Sequence, residues 1–446
     1  MHTRHLVPLI LAAMALLITV GAGRAPHPRV EREKPPASQA VSNNINPVGN
    51  SLTISNESSL VELSPAIAYN STSGEYLAVW YNDRPGNDDI RAQRIAKDGR
   101  LLGGPFYISA AGDGIDRRYP RIAYNSKSDQ YLVVWEHQES STGYSIHGRR
   151  ISSTGQVIDS SDLEIRGAGA NLYTPLKPAV AYAYSSDKYL VVWEETWHPL
   201  PIATSIVGQV VLGTGALEGS LITISQDPGG YFRTNPDLAY NLGRNEYLVA
   251  WEQIDPNTSP QLTDIYIRRV TGNGELLFPE STQLAYYTVS STAPAVAAMP
   301  IQPDGQYFVT WESHYTPDEW DIIGVLISPD GAPQAYFDIA ASGADERQPS
   351  VSACLKRSQY LVTWKQVPTP SLLLSNIAGR LVTTMGSLAA DPIYLTGMVS
   401  DHPRLATGWL GDFMTVYDDI PLTPDSGIYG QLIGNRSYLP WLGKYK

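Results

Sequence analysis

The chain has 446 residues, of which 43% are hydrophobic and 17% charged, and its formal net charge is −12. An acidic surface argues against a nucleic-acid partner, which needs Lys and Arg to displace counterions, and against docking on anionic lipid. Gly (37), Pro (33) and Tyr (27) are abundant, a profile that favours a turn-rich all-β protein over a helical one.

Residues 1–25 have the pattern of a secretory signal peptide. Arg4 and His5 precede the apolar stretch Leu6–Val20, and small residues lead to a cleavage position after Ala25. An uncleaved membrane anchor is the alternative, although the apolar stretch is short for a spanning helix. We therefore expect a secreted or cell-surface protein without stable membrane insertion.

Three features lie outside the regular part of the chain. Residues 26–50 are rich in Pro and polar residues and are expected to form a disordered linker. Residues 434–446 form an apolar and aromatic C-terminal tail, which either packs under the fold or serves as a sorting tag. The single cysteine, Cys354, has no partner for an internal disulfide, so packing alone must stabilise the exported chain.

A hexapeptide of the form YLVVWE recurs along the chain. The copies are Tyr76–Tyr81, Tyr131–Glu136, Tyr189–Glu194, Tyr247–Glu252, Tyr307–Glu312, Tyr360–Lys365 and a more divergent seventh, Phe413–Asp418. Each copy follows an apolar run that begins with Pro, and successive Pro residues lie 54 to 58 positions apart. They are Pro65, Pro120, Pro178, Pro236, Pro294, Pro349 and Pro403. So regular a period predicts one repeat architecture rather than several unrelated domains.

Each unit contains four strand-like runs joined by short turns, which is the pattern of a propeller blade. The Pro-led run comes first and the YLVVWE run second. The third runs are Asp89–Ile95, Ser145–Ile151, Ser205–Val211, Asp264–Val270, Asp321–Ile327, Asn376–Val382 and Gly427–Ile433. The first run has Ala as its fourth residue in six units and Ser352 in the other, which indicates crowded packing near an axis. We therefore expect the strands to follow chain order from the axis outward.

The seventh unit lacks a fourth run, whereas Ser51–Ser55 (SLTIS) stands alone before the first unit and matches Leu221–Ser225 (LITIS). The N-terminal segment is expected to supply the missing outer strand, which would remove two open sheet edges. The predicted fold is thus all-β: a seven-bladed β-propeller of four-stranded antiparallel blades over residues 51–433, closed by an N-terminal outer strand.

The units resemble the YLVVWE…DIYGQR repeat of secreted bacterial β-propeller proteins. The resemblance covers about residues 51–433 and implies the fold, but it carries no catalytic residues to transfer. The chain has no calcium loop of the D-x-D-x-D-G kind, no double-Gly kelch signature and no good sialidase-type box; 423–429 is a partial match only.

The Glu that follows the repeated Trp could indicate a carboxylate pair for glycoside hydrolysis. These residues are Glu136, Glu194, Glu252 and Glu312. They recur at one repeat position and should be spread around the ring, so a structural or solvated role is the favoured interpretation. The Trp itself is predicted to be core rather than a sugar platform.

Departures from the repeat are the better guide to function. Connections from second to third strands and from fourth strands to the next unit share one face of a propeller, here named the long-loop face. Exposed aromatic and polar side chains there suit glycan or peptide recognition. The candidate ligand-binding residues are Trp197, His198, Tyr315, Trp320, Arg118 and Arg233. The alternative is that polar loops simply collect such residues.

No cofactor or metal is expected, because no nucleotide fingerprint, phosphate loop or nucleophile motif is present and no His pair has ligand spacing. The first hypothesis is a monomeric, non-enzymatic propeller that binds an extracellular glycan or protein through the long-loop face. The second is a hydrolase or lyase acting on polysaccharide at the axial mouth, the opening of the central channel on that face. It requires carboxylates, or His plus carboxylate, that converge.

Overall fold

The computed structural model describes residues 45–434 except 58–59, 85–86, 110–111, 140–142, 170–172, 199–202, 226–229, 257–261, 279–280, 286–288, 302–303, 317–318, 369–373, 390, 397–398, 409 and 420–425. The predicted signal peptide, most of the predicted linker and residues 435–446 of the tail lie outside these residues.

Seven four-stranded antiparallel sheets follow one another along the chain. Blade 1 comprises β2 (Val61–Asn70), β3 (Glu75–Asp83), β4 (Asp89–Ala96) and β5 (Leu101–Tyr107), and blade 2 comprises β6 (Arg117–Asn125), β7 (Gln130–Gln138), β8 (Tyr144–Ser152) and β9 (Leu163–Arg166). Blade 3 comprises β10 (Tyr173–Ala183), β11 (Lys188–Trp197), β12 (Ala203–Leu212) and β13 (Leu217–Ser225), and blade 4 comprises β14 (Phe232–Asn241), β15 (Glu246–Ile254), β16 (Thr263–Thr271) and β17 (Thr282–Gln283). Blade 5 comprises β18 (Ser291–Ala298), β19 (Tyr307–Thr316), β20 (Glu319–Ile327) and β21 (Pro333–Ala340), and blade 6 comprises β22 (Asp345–Cys354), β23 (Gln359–Val367), β24 (Asn376–Thr383) and β25 (Ile393–Tyr394), with the 3₁₀ turn Leu355–Arg357 between its first two strands.

Blade 7 closes the ring as the sequence predicts. Its strands are β26 (Ser400–Thr407), β27 (Phe413–Asp419), β28 (Ile428–Gly434) and the N-terminal β1 (Asn46–Ser55), which pairs antiparallel with β28. The predicted seven-bladed, four-stranded fold and its closure are therefore confirmed, and the third strands match their predicted bounds to within two residues.

The closing strand is longer than predicted. It begins at Asn46, five residues before Ser51 and inside the segment expected to be linker. Gly49 has a φ of 73° within the bulged part of the strand, between Val48 and Leu52. Gly tolerates that conformation at no steric cost, so the strand continues through it.

The second strands form the inter-blade core. They are apolar on both faces because each is sandwiched between two neighbouring blades. The six repeated Trp residues are at most 1% exposed, which confirms that they are core: Trp80, Trp135, Trp193, Trp251, Trp311 and Trp364. Tyr417 replaces Trp in blade 7 and is buried as well.

On the short-turn face, opposite the long-loop face, an Asn at the end of the first strand joins neighbouring blades. Asn70 accepts the backbone N–H groups of its own turn through Oδ1, and its Nδ2 donates to Asp129 of blade 2 at 3.1 Å. Asn125 repeats this arrangement with Asp187 of blade 3 at 3.2 Å. These side chains fix adjacent blades at one end of the axis. Among the described residues, no helix has the length and apolar character needed to cross a membrane.

Candidate active site at the axial mouth

Every first strand is bulged at its Pro. The pairing with the second strand shifts across this point in all seven blades, for example between Leu176 and Ala179 in β10. The residue before each Pro has a φ between 45° and 55°, and these residues are Ser64, Tyr119, Lys177, Asn235, Ala293, Gln348 and His402. None is Gly, so each blade holds a left-handed backbone that its surroundings must stabilise.

The bulge turns one backbone N–H toward the preceding blade, where the carboxylate after the repeated Trp accepts it. The five bonds join Lys177 to Glu136 (2.7 Å), Asn235 to Glu194 (2.9 Å), Ala293 to Glu252 (2.7 Å), Gln348 to Glu312 (2.5 Å) and Ser64 to Asp418 (2.8 Å). The favoured interpretation of these carboxylates as structural thus has a specific basis, since each one fastens two blades together at the long-loop end of the axis.

Neighbouring members of this set of carboxylates act on one another's proton affinity. The charge of Glu194, on blade 3, contributes to the raised pKa of Glu136 on blade 2, and Glu252 contributes to the raised pKa values of Glu194 and Glu312. Burial raises the pKa of Glu136 to about 7, with a contribution from the charge of Glu194. The expectation that these groups are spread around the ring stays a prediction.

Lys177 contacts both Glu136 and Glu194, through different groups, and so affects the two carboxyls differently. Its backbone N–H bonds Glu136, whereas its Nζ lies 3.4 Å from Oε2 of Glu194. Burial raises the pKa of Glu194 as well, but the Lys177 charge opposes that rise. In the described part of the chain, Oε2 of Glu136 and Oε1 of Glu194 accept no hydrogen bond. Burial thus favours the protonated form of Glu136, whereas the Lys177 charge favours the ionised form of Glu194, and each carboxyl has an oxygen available.

Blade 7 adds a His–carboxylate pair to the mouth. His402 Nδ1 lies 3.1 Å from both carboxylate oxygens of Asp418. Burial disfavours the imidazolium, but the hydrogen bond and charge of Asp418, helped by Asp401, raise the pKa of His402. Blade 6 has Lys365 where most blades have Glu, and its Nζ donates to Asp401 at 2.8 Å. The mouth therefore carries proton donors and acceptors from several blades.

The predicted ligand-binding residues occupy the long-loop face in separate places. Trp197 is the last residue of β11, paired with Ala203 rather than placed in a loop; it is 43% exposed and its ring lies 5.5 Å from that of Tyr173. His198 follows it, with Nε2 3.4 Å from Thr174 Oγ1.

The other aromatic candidates belong to blade 5. Trp320 is partly buried and stacks on His314, with ring centroids 4.4 Å apart, and the guanidinium of Arg347 lies 4.7 Å from the Trp320 ring. Tyr315 belongs to β19 and directly follows His314 in the chain.

The two arginine candidates are engaged within the protein. Arg118 forms ion pairs with Asp88 and, at 3.4 Å, with Asp116. Arg233 is buried and donates from Nε to Gln253 at 2.8 Å. Arg118, the Trp197–His198 pair and Trp320 come from blades 2, 3 and 5, and the contacts of the described residues do not join them into one site.

One cluster has the residue types of a metal centre, which the sequence did not reveal because its His residues come from two adjacent strands. His137 and His147 stack with centroids 4.1 Å apart, and Nδ1 of His147 lies 4.0 Å from Asp162. Burial, followed by the charge of His137, lowers the pKa of His147 to about 4, so the ring is neutral, as metal ligation requires.

The rest of the geometry fits a cation poorly. Arg149 Nε lies 2.6 Å from Asp162 and offsets its charge. The ring planes of His137 and His147 are 16° from parallel and the rings are stacked. Their lone pairs therefore lie in two separate, nearly parallel planes and do not meet at one cation. The cluster is therefore a poor cation site, and the expectation that the protein holds no metal stays a prediction.

The comparisons with known proteins identify the fold. No protein-family model and no curated protein matches the chain. Among solved structures it is similar to a protein of unknown function from Dyadobacter fermentans, at 12% identity and a TM-score of 0.53 over 88% of this chain and 100% of that one. It is also similar to the α-L-arabinofuranosidase Arb93A of Fusarium graminearum (13%, TM-score 0.55, 76% and 98%) and to an α-L-arabinanase of Penicillium chrysogenum (11%, 0.51, 89% and 98%). At these identities the likeness shows the propeller fold alone.

Proposed function

We propose that the protein binds an extracellular glycan at the axial mouth and hydrolyses it, with Glu136 as the general acid and Glu194 as its partner. This is the second of the two sequence hypotheses. The observation that carries it is that Lys177 connects two carboxyls of neighbouring blades, with its backbone N–H 2.7 Å from Glu136 and its Nζ 3.4 Å from Glu194. Glycoside hydrolysis needs one carboxyl that is protonated near the working pH and one that is ionised.

The chemistry follows from the two environments. Protonated Glu136 would donate its proton to the glycosidic oxygen as the C–O bond breaks. Ionised Glu194, held near Lys177 Nζ at 3.4 Å, would act on the anomeric side, either on water or on carbon directly. The similar structures support this proposal, since Arb93A is an α-L-arabinofuranosidase in complex with an iminosugar inhibitor and the Penicillium protein is an α-L-arabinanase in complex with arabinobiose.

The test is release of reducing sugar from a panel that begins with arabinan and extends to galactan, xylan and pectin. Glu136→Gln should lower the rate by at least about a hundredfold, the usual contribution of a general acid. Glu252→Gln is the matched control, because both oxygens of Glu252 are already bonded, by Ala293, Asn235 and Thr234, so it should retain activity.

The pH profile provides a second readout. Activity should fall as pH rises through about 7, where Glu136 loses its proton. Absence of activity on every polymer, or equal activity of the Glu136→Gln and Glu252→Gln variants, would rule out this assignment.

A second candidate is glycan binding without catalysis on the long-loop face. The exposed Trp197 ring, supported by Tyr173 with the Arg166 guanidinium 3.6 Å from the Tyr173 centroid, favours it because such a platform suits sugar stacking. Trp197→Ala would then weaken binding about tenfold or more, whereas Glu136→Gln would leave binding unchanged.

A further inference from the structure

The first strands end differently in two parts of the ring. Four positions after the bulge Pro, blades 1 to 4 have a tyrosine, and these are Tyr69, Tyr124, Tyr182 and Tyr240. Each of these rings packs against the Tyr that begins the YLVVWE run of its own blade, with centroids 5.0 to 5.4 Å apart. Blades 5, 6 and 7 have Ala298, Ala353 and Thr407 at this position. Three consecutive blades therefore lack a ring that the other four carry.

A cavity of about 340 Å³ occupies the place of the missing rings. Its lining includes Ala298, Ala353 and Thr407, and the flanking blades 4 and 1 contribute Tyr240 and Tyr69. All of these residues belong to first strands, and blades 4 and 7 are not adjacent, so the cavity lies at the axis. Its lining extends to the short turn between β18 and β19, which places it at the short-turn face.

The lining of this axial cavity is mainly apolar. Ala, Val, Leu and Pro side chains and the two Tyr rings make up most of it. The hydroxyls of Ser352 and Thr407 hydrogen-bond each other at 2.6 Å, and the Tyr240 hydroxyl donates to Asn245 at 2.9 Å. Side chains that remove this surface from water would stabilise the fold. Small-ligand pockets have volumes of about 300–1,000 Å³, so this cavity accepts a few side chains and excludes a folded protein.

The third strand of blade 7 brings the chain to the same face. Thr407 pairs with Phe413 of β27, and Phe413 pairs with Ile433 of β28. Two strand spacings, about 10 Å, therefore separate Ile433 from the cavity lining. Gly434 ends β28, and a Cβ on it would lie 3.5 Å from the Cβ of Asp412, in the short turn between β26 and β27. The residues that follow Gly434 thus start beside the cavity.

Residues 435–446 have the length and composition to fill the cavity. They read NRSYLPWLGKYK, and their large apolar and aromatic residues before the basic end are Tyr438, Leu439, Trp441 and Leu442. An extended chain covers about 3.5 Å per residue, so the seven positions from Gly434 to Trp441 span up to about 25 Å. That is more than the distance to the cavity. Leu355 and Leu410, on the short turns of blades 6 and 7, are 48% and 44% exposed, so apolar surface also lies beside the cavity.

We propose that the C-terminal tail of the same chain docks into the axial cavity, where Tyr438 and Trp441 replace the tyrosines that blades 5 to 7 lack. A short tether gives the tail an effective concentration of the order of millimolar, which favours it over a free ligand. The inference is independent of the proposed function, because the cavity and the axial mouth lie on opposite faces of the ring.

Fluorine NMR of the full chain labelled with 5-fluorotryptophan tests the docking. The resonance of an exposed ring moves between H₂O and D₂O, whereas that of a buried ring does not. Trp441→Phe and Trp197→Phe assign two of the ten Trp resonances, and Trp197, which is 43% exposed, is the exposed reference. We expect the solvent shift of Trp441 to be at most about half that of Trp197, as for an aromatic ring removed from water.

Two substitutions that restore the repeat provide the decisive comparison. Ala298→Tyr and Ala353→Tyr, on blades 5 and 6, each put a ring back into the cavity and should displace the tail. The solvent shift of Trp441 should then rise about twofold or more, toward that of Trp197. Ser128→Tyr is the matched control, because Ser128 is exposed on a short turn of blade 2 and is outside the cavity lining. It should leave the Trp441 resonance unchanged.

A shielded Trp441 in a monomer, at every dilution, that becomes exposed in the Tyr variants would support the inference. A Trp441 that is as exposed as Trp197 in the wild type, or one that stays shielded in a folded Tyr variant, would overturn it. Shielding that is lost on dilution together with a dimer would show that the tail of a second copy fills the cavity, and would overturn docking within one chain. Removal of residues 435–446 from the purified protein, detected by mass spectrometry, would show that the tail is a processed sorting tag and would overturn it too.

Discussion

Replacing Glu136 by Gln should change how stability depends on pH. Burial in the folded state raises the pKa of Glu136 to about 7, from its ordinary value of 4.5. Between these pH values the folded state binds more protons than the unfolded state, so this group makes stability fall as pH rises. The full difference, from below pH 4.5 to above pH 7, is at most about 3 kcal/mol. Gln stays neutral, and its Oε1 still accepts the N–H of Lys177.

The assay is urea unfolding of wild type and variant at pH 5, 6, 7 and 8. The variant should gain about 2–3 kcal/mol relative to wild type across this range. Glu346 and Asp89, with pKa values raised by burial to about 7 and about 6, make the wild-type curve fall too, but their effect cancels in the difference. Asp330→Asn is the control, because a hydrogen bond from Ser328 lowers the pKa of Asp330 and places its titration below the assayed range. Parallel curves for wild type and Glu136→Gln would refute the raised pKa.

Three further predictions concern the scaffold. Ile54→Ala in β1 and Ile224→Ala at the matched position of β13 should each cost about 2–5 kcal/mol of unfolding free energy; a neutral Ile54→Ala beside a damaging Ile224→Ala would contradict closure by the N-terminal strand. Glu252→Ala should cost about 2–4 kcal/mol, since it leaves the buried N–H of Ala293 without its acceptor, and Glu252→Gln should restore most of this in the same unfolding assay. Trp193→Ala should cost about 3–5 kcal/mol by chemical denaturation, and a cost below about 1 kcal/mol would show that the inter-blade core tolerates a large cavity.

The blades could be predicted because each repeats a local physical requirement. A strand buried between two neighbouring blades must be apolar on both faces, so the YLVVWE run predicts the second strand in every unit. The closure of blade 7 could be predicted by counting strand-like runs, because the seventh unit lacks a fourth run and Ser51–Ser55 stands alone before the first unit. The extent of β1 was not predicted, because residues 26–50 were assigned to a linker on their content of Pro and polar residues, although a bulged strand accommodates Pro47 and Gly49.

The role of the repeated Pro could not be predicted in the same way. Its regular spacing marked the first strand, but the bulge depends on pairing with the second strand, which the sequence does not state. The left-handed residue before Pro is as varied as Ser64, Ala293 and His402, so no residue type signals it. For the carboxylates of blades 2 to 5, the hydrogen bond from that residue to the carboxylate of the preceding blade links positions 36 to 41 residues apart in the chain. It becomes visible only in three dimensions.

The candidate site was missed for a related reason. Sequence reasoning looked for function in exposed loop residues such as Trp197, and treated the repeated Glu as equivalent around the ring. Lys177 connects Glu136 to Glu194 only when blades 2 and 3 lie side by side, so the spacing of the repeated Glu in the sequence gives no signal of it.

Each pair of neighbouring blades is joined where the residue before the bulge Pro meets the residue after the repeated Trp of the preceding blade. Comparing these seven joints shows which side chains of the mouth the scaffold repeats and which depart from the repeat. Five joints use a carboxylate, so the carboxylate is what the scaffold requires. The joint from blade 1 to blade 2 instead packs Tyr81 against Tyr119 at 5.7 Å, and the joint from blade 6 to blade 7 uses Lys365. Neither substitution reproduces the repeated hydrogen bond, so the requirement that the scaffold repeats in the other five joints does not account for Tyr81 or Lys365.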